Sequence, residues 1–193
     1  MSSEPDPADL VFRSRALAQA HPLSRLATRY VKRVVAQEGD SQPLPEIGIW
    51  AGGALLDGYC LRRVEEDLTT VASVGLDGGA GSGAGSDAER EAELDRLDEA
   101  ATAIAAELRS GTSGWRSPGT GAWTIAALDQ LIGKGVERRL DHWRDAVDDA
   151  AWAELETYLT WWVVKGYALR VAEQQVGPPP AGAGADAGKR SAR

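Results

Sequence analysis

Cysteine, histidine, phenylalanine and lysine are all scarce in this chain. There is one Cys, one Phe, two His and four Lys in 193 residues. A lone Cys60 forms no intrachain disulfide, which excludes a disulfide scaffold. One Cys with His21 and His142 is too small a set for a Cys/His zinc site. The Glu-x-x-His spacing of carboxylate metal sites on helices is also missing. No metal or other cofactor is therefore expected. Long apolar runs are lacking too. The most apolar windows, 47–56 and 158–164, fall far short of the roughly 20 residues a membrane span needs. Bases are outnumbered, 21 against 29 acids for a net charge of -8, which argues against a simple basic nucleic-acid binder. Glu4, Asp6 and Asp9 stand where a secretory signal would need positive charge. The expectation is a soluble cytoplasmic protein without a transmembrane segment.

What is present points to helices. Hydrophobic residues make up 43% and charged residues 26%, a globular balance. Gly and Pro divide the chain. Residues 1–8 and 177–193 lack apolar periodicity and are expected to be disordered tails. Six of the twelve residues in 75–86 are Gly, the composition of a flexible linker. One domain over 9–176 with a flexible internal loop 75–86 is expected, because neither half is large. Asp9 is a candidate cap for a helix ending near Ala20. Pro22 suits the first turn of a second helix, where Leu23, Leu26, Ala27, Tyr30, Val31, Val34 and Val35 form an apolar stripe of helical period. An apolar segment follows from Ile47 to about Leu68. Ser86 or Asp87 is placed to cap an acidic helix reaching Arg109, with Leu94, Leu97, Ala101, Ile104 and Leu108 facing inwards. Two more helices are read over 122–176, with Asp148-Asp149 at the cap of the second. No segment alternates as a strand would. The fold class expected is all-α, a single bundle of about six helices.

One local conflict stands out. Gly48, Gly52, Gly53 and Gly58 all lie in the third helical segment, and each costs about 1 kcal/mol against Ala in a helix interior. Close packing against another helix would offset that cost. A short strand 47–50 before a Gly turn is the alternative.

Four features are candidate sites. Arg25, Arg29, Lys32 and Arg33 share the polar face of the second helix, inside a stretch from Leu10 to Gln37 that contains no acid. The stripe fits an anionic partner, or it pairs with the acidic helix 87–109, which holds eight acids and three bases. The Gly/Ser/Thr/Pro loop 112–121 precedes a helix, and backbone N–H groups there can cradle phosphate; the phosphate-loop spacing is missing, so a plain connector fits as well. Trp143, Trp152, Tyr158, Trp161, Trp162 and Tyr167 cluster on the last two helices, with Arg170 beside them. They suit a core, an interface or a pocket, since Trp and Tyr join apolar area to a polar tip. Finally, Gly58-Tyr59-Cys60-Leu61-Arg62-Arg63-Val64-Glu65 matches Gly166-Tyr167-Ala168-Leu169-Arg170-Val171-Ala172-Glu173 at five of eight positions. A true repeat would relate two half-bundles by a pseudo-twofold axis and set Tyr59, Arg62 and Glu65 equivalent to Tyr167, Arg170 and Glu173.

Catalytic chemistry is thinly represented. Cys60 falls in the apolar pattern of an inert thiol. His142 has Glu137 and Asp145 near it in sequence, but a single His on a charged helix is usually surface. No catalytic residue is assigned. The function expected is non-enzymatic: regulation, adaptation or self-assembly through contacts with a protein partner or a second copy. Two alternatives stay open. One is a small-molecule binder or enzyme with a Trp-lined pocket, and the other a regulator touching nucleic acid through helix 23–37.

Overall fold

The computed structural model describes residues 6–20, 23–42, 44, 46–69, 86–109, 122–141, 144 and 147–176. They form an all-α bundle of six helices: α1 (Pro7–Gln19), α2 (Arg25–Ser41), α3 (Glu46–Thr69), α4 (Asp87–Arg109), α5 (Ala122–Leu140) and α6 (Asp149–Val176). The linker 75–85, the loop 112–121, His142, Trp143 and the tail 177–193 lie outside the described residues.

Local chemistry sets the helix starts. The side chain of Asp6, not Asp9, caps α1 by accepting from the Ala8 N–H at 3.0 Å. Pro7 has no N–H to satisfy and its fixed φ suits a first helical turn. The helix thus takes in Pro7 and Ala8, which were expected to be disordered. Ser24 caps α2 through the Ala27 N–H at 3.0 Å, so α2 begins at Arg25 rather than at Pro22. Ser86 and Glu89 make a reciprocal capping box on α4: the Ser86 N–H donates to Glu89 at 2.7 Å, and the Glu89 N–H to Ser86 Oγ at 3.3 Å. Asp148 caps α6 through the Ala151 N–H at 2.8 Å.

Packing is organised around α3 and α6. α1 and α2 lie against α3, and α4 and α5 lie against α6. α1 reaches across to α5, and α2 to α4. Each contact in the first half of the chain therefore has a counterpart in the second. Of the expected inner stripes, Ala27, Tyr30 and Val34 on α2 and Leu94, Leu97, Ala101 and Ile104 on α4 are buried, while Leu23, Leu26, Val31, Val35 and Leu108 are half-buried.

The glycines of α3 are helical, and there is no strand at 47–50. Close packing resolves the conflict. A methyl built on Gly58 would lie 1.9 Å from the Val163 carbonyl oxygen, and one on Gly166 would lie 1.9 Å from the Leu55 carbonyl oxygen. The two contacts are reciprocal, because Leu55 precedes Gly58 by the same three residues as Val163 precedes Gly166. Gly48 meets the backbone of Val35 and Gly39 in the same way, seating α3 on α2.

Gly58→Ala and Gly166→Ala should each cost about 3 kcal/mol or more, since backbone atoms cannot yield as side chains do. Gly133→Ala has open space around it and should stabilise by about 0.5–1 kcal/mol from helix propensity. Urea unfolding midpoints followed by circular dichroism check both directions.

Candidate functional site

Beyond the glycine contact, α3 and α6 share a polar seam. It is built from the two matching segments. The Tyr59 hydroxyl donates to Glu173 Oε2 at 2.7 Å, and the Tyr167 hydroxyl donates to Glu65 Oε2 at 2.6 Å. Arg62 Nη1 lies 3.3 Å from Glu65 Oε2, and Arg170 Nη1 lies 2.8 Å from Glu173 Oε2. The Arg62 guanidinium sits 5.8 Å from the centre of the Tyr167 ring, and that of Arg170 sits 5.8 Å from the Tyr59 ring. Each Tyr, Arg and Glu of one segment thus meets its counterparts in the other.

Glu66 breaks the symmetry usefully. It accepts from Arg170 Nε at 3.0 Å and Nη2 at 2.9 Å, and lies 3.4 Å from Arg62 Nε. One carboxylate therefore bridges both guanidinium groups. Ser24, which caps α2, also donates its hydroxyl to Glu173, fixing α2 to the seam. Burial works against charge on Arg170, yet Glu66 and Glu173 raise its pKa and hold it protonated. Burial, with Glu173 beside it, pushes the Tyr59 phenol up to about 12. Apart from Arg62 Nε, which is buried without a hydrogen-bond partner among the described residues, these groups bond to one another across the seam. Cys60, next to Tyr59, is buried, and burial raises its thiol to about 12. At neutral pH it is a protonated, inert group.

The aromatic cluster divides. Tyr167 and Trp162 are core residues, while Trp152, Tyr158 and Trp161 are half-buried. Tyr158 packs edge-on to Trp162 at 6.2 Å between ring centres and donates its hydroxyl to Glu38 of α2. Trp152 carries the Arg144 guanidinium 4.3 Å from its ring centre. Arg170 belongs to the seam.

Lys165, which sequence reasoning passed over, is the hub of the cluster. It is 7% exposed. Its ammonium lies 5.2 Å from the centre of the Trp162 ring, 5.9 Å from Trp161 and 6.0 Å from Tyr30, all within reach of cation–π attraction. Asp98 of α4 pairs with it at 2.8 Å and also accepts from the Tyr30 hydroxyl. Burial alone would raise the Asp98 carboxyl, but the hydrogen bonds from Lys165 and Tyr30 outweigh it and hold the group below its ordinary value. The position equivalent to Lys165 in the first half is Asp57, which is also buried. It pairs with Arg139 of α5 at 2.7 Å. The available signal was a single charged side chain inside each apolar run.

The basic stripe does not act as one unit. Arg33 is held by Glu91 at 2.9 Å and Asp95 at 2.8 Å, both on α4. Arg25 and Lys32 are exposed and Arg29 is half-buried. Among the described residues these three make no ion pair. His142, Trp143 and the loop 112–121 are outside the described residues. Among the described residues no group of His, Cys, Asp and Glu could hold a metal ion, and no helix is long and apolar enough to cross a membrane. Comparison with protein-family models, with curated proteins and with solved structures finds no match.

The raised phenol of Tyr59 has a pH consequence. An unfolded Tyr titrates near 10, while folded Tyr59 titrates near 12. The unfolded chain therefore loses this proton first, and stability that is complete below about pH 10 falls as pH rises to about 12. Phenolate absorbance at 295 nm should accompany unfolding rather than precede it. Tyr59→Phe should flatten the fall and, at neutral pH, cost about 1–2 kcal/mol for the lost hydrogen bond to a charged partner.

Proposed function

We propose that this chain works by contact with another polypeptide, either a second copy or a different protein. The observation that supports the reading is the exposure of large apolar side chains on helices whose other faces are packed. Phe12, the single Phe of the chain, is 72% exposed on α1, and Ile49 is 64% exposed on α3. Ile49, Gly53 and Leu56 follow one another at i, i+4 and i+7 along the less buried side of α3. Leu44 is exposed just before that helix. Covering Phe12 or Ile49 in an interface offers about 1.5–3 kcal/mol each. The polar seam fits a structural part in this reading: its donors and acceptors face one another and hold α3, from which Ile49 projects. Regulation, bridging of partners and self-assembly are the roles open to such a protein.

A photo-crosslinking amino acid placed at position 12 or 49 tests this in the purified chain and in extract of its own source cells. Adducts at 12 and 49 should exceed those at exposed Lys32 several-fold. Yields no higher than at position 32, in both settings, would overturn the reading. Light scattering then separates self-association from a different partner.

A further inference from the structure

The outward face of α1 is apolar along its centre. Ala8, Phe12 and Ala16 follow one another at i, i+4 and i+8, and all three are exposed. The opposite face, with Leu10, Val11 and Ser14, is buried against the bundle. A Phe between two alanines on a helix is a knob with a flat seat one turn before it and one turn after it.

The second half of the molecule shows that such a face does not follow from position. α4 holds the matching place: α1 packs on α3 and α5, and α4 packs on α6 and α2. The outward residues of α4 include Arg90, Glu91, Asp95, Arg96 and Glu99. Among its described residues no large apolar side chain is exposed. An outer helix of this bundle can therefore be covered by charge alone, and α1 departs from that pattern at Phe12.

The charges beside Phe12 point to the occupant. Asp9 and Arg13 lie at i and i+4 along one edge of the face. Among the described residues neither makes an ion pair. A twofold axis that sets two α1 helices antiparallel brings like edge to like edge with the direction reversed. Asp9 of one copy then stands beside Arg13 of the other, and Arg13 beside Asp9. The two Phe12 side chains meet near the axis, each over the alanines of the other copy. A parallel pair would bring opposite edges together and keep these charges apart. The face is thus complementary to itself in the antiparallel arrangement.

Resting on the contact function put forward above, we propose that the polypeptide met by α1 is a second copy of this chain, in a symmetric dimer built on antiparallel pairing of the two α1 helices. α1 has 13 residues, a length of about 20 Å. One helix pair that short falls below the roughly 1,200 Å² of a stable interface. The dimer is therefore weak, forming at about 0.1–1 mM and coming apart on dilution.

Sedimentation equilibrium of the full chain between about 10 µM and 1 mM tests this assignment. The mean mass should rise reversibly from 20.5 kDa towards twice that value. Phe12→Ser should keep the chain monomeric over the whole range. Arg13→Glu sets acid beside acid and should weaken the dimer about tenfold. Asp9→Lys combined with Arg13→Glu exchanges the two signs and should restore it to within about threefold. Lys32→Gln, on the exposed side of α2, should change it by less than about twofold. Circular dichroism checks that each variant keeps the helical fold. A wild-type chain that stays monomeric throughout the range overturns the dimer. Crosslinks at position 12 in extract that exceed those at position 32 would then still uphold contact with a different protein, and their absence overturns both. A dimer that survives Phe12→Ser, or one that the exchange of signs does not restore, overturns the α1 pairing.

Discussion

The bundle depends on the approach of two helix backbones at Gly58 and Gly166. Each glycine faces a main-chain carbonyl of the other helix, with no room for a methyl group. That approach brings the flanking Tyr, Arg and Glu side chains within hydrogen-bonding reach across the pair. The two central helices become the frame against which the four outer helices bury their apolar stripes. The helix-propensity cost of glycine, about 1 kcal/mol each, is offset by the contact area this approach opens.

The seam that follows from it is polar in a place where apolar side chains would also pack. Buried ions gain little net stability over well-packed apolar residues, but an unpaired member is expensive. Such a network therefore selects one register of α3 on α6. A slip by one turn would separate Tyr59 from Glu173 and Tyr167 from Glu65, and take Arg170 away from Glu66, whose other partner, Arg62, lies on its own helix. The equivalent pair Asp57 and Lys165 adds a second discrimination. Their charges are opposite, so Asp57 accepts a partner from α5 and Lys165 one from α4. α4 and α5 cannot trade places without setting Asp98 near Asp57 and Arg139 near Lys165.

The outer surface has a different logic. Phe12 and Ile49 remain uncovered while the internal polar groups are largely matched. The described bases lining the α5–α6 cleft outnumber its described acids by three to two, and two donors of Arg15 have no acceptor among the described residues. Sites where local balance fails are where a fold meets something outside itself.

By itself, the sequence determined the helix content and several boundaries, because period and cap chemistry are local. The stripe of α4, the capping positions Ser86 and Asp148, and the similarity of segments 58–65 and 166–173 were all legible there. Cap competition was less so: Asp6 prevails over Asp9 because Pro7 follows it. Only the tertiary structure decided that the two similar segments face each other, that Arg33 spends its charge on α4, and that Arg170 lies in a seam with Arg62 rather than on a pocket wall. Those outcomes rest on pairs more than fifty residues apart in the chain. Spacing along a helix shows which side chains share a face. Which acid meets which base is set by how the faces come together, and that geometry exists only once the backbones have met at the two glycines.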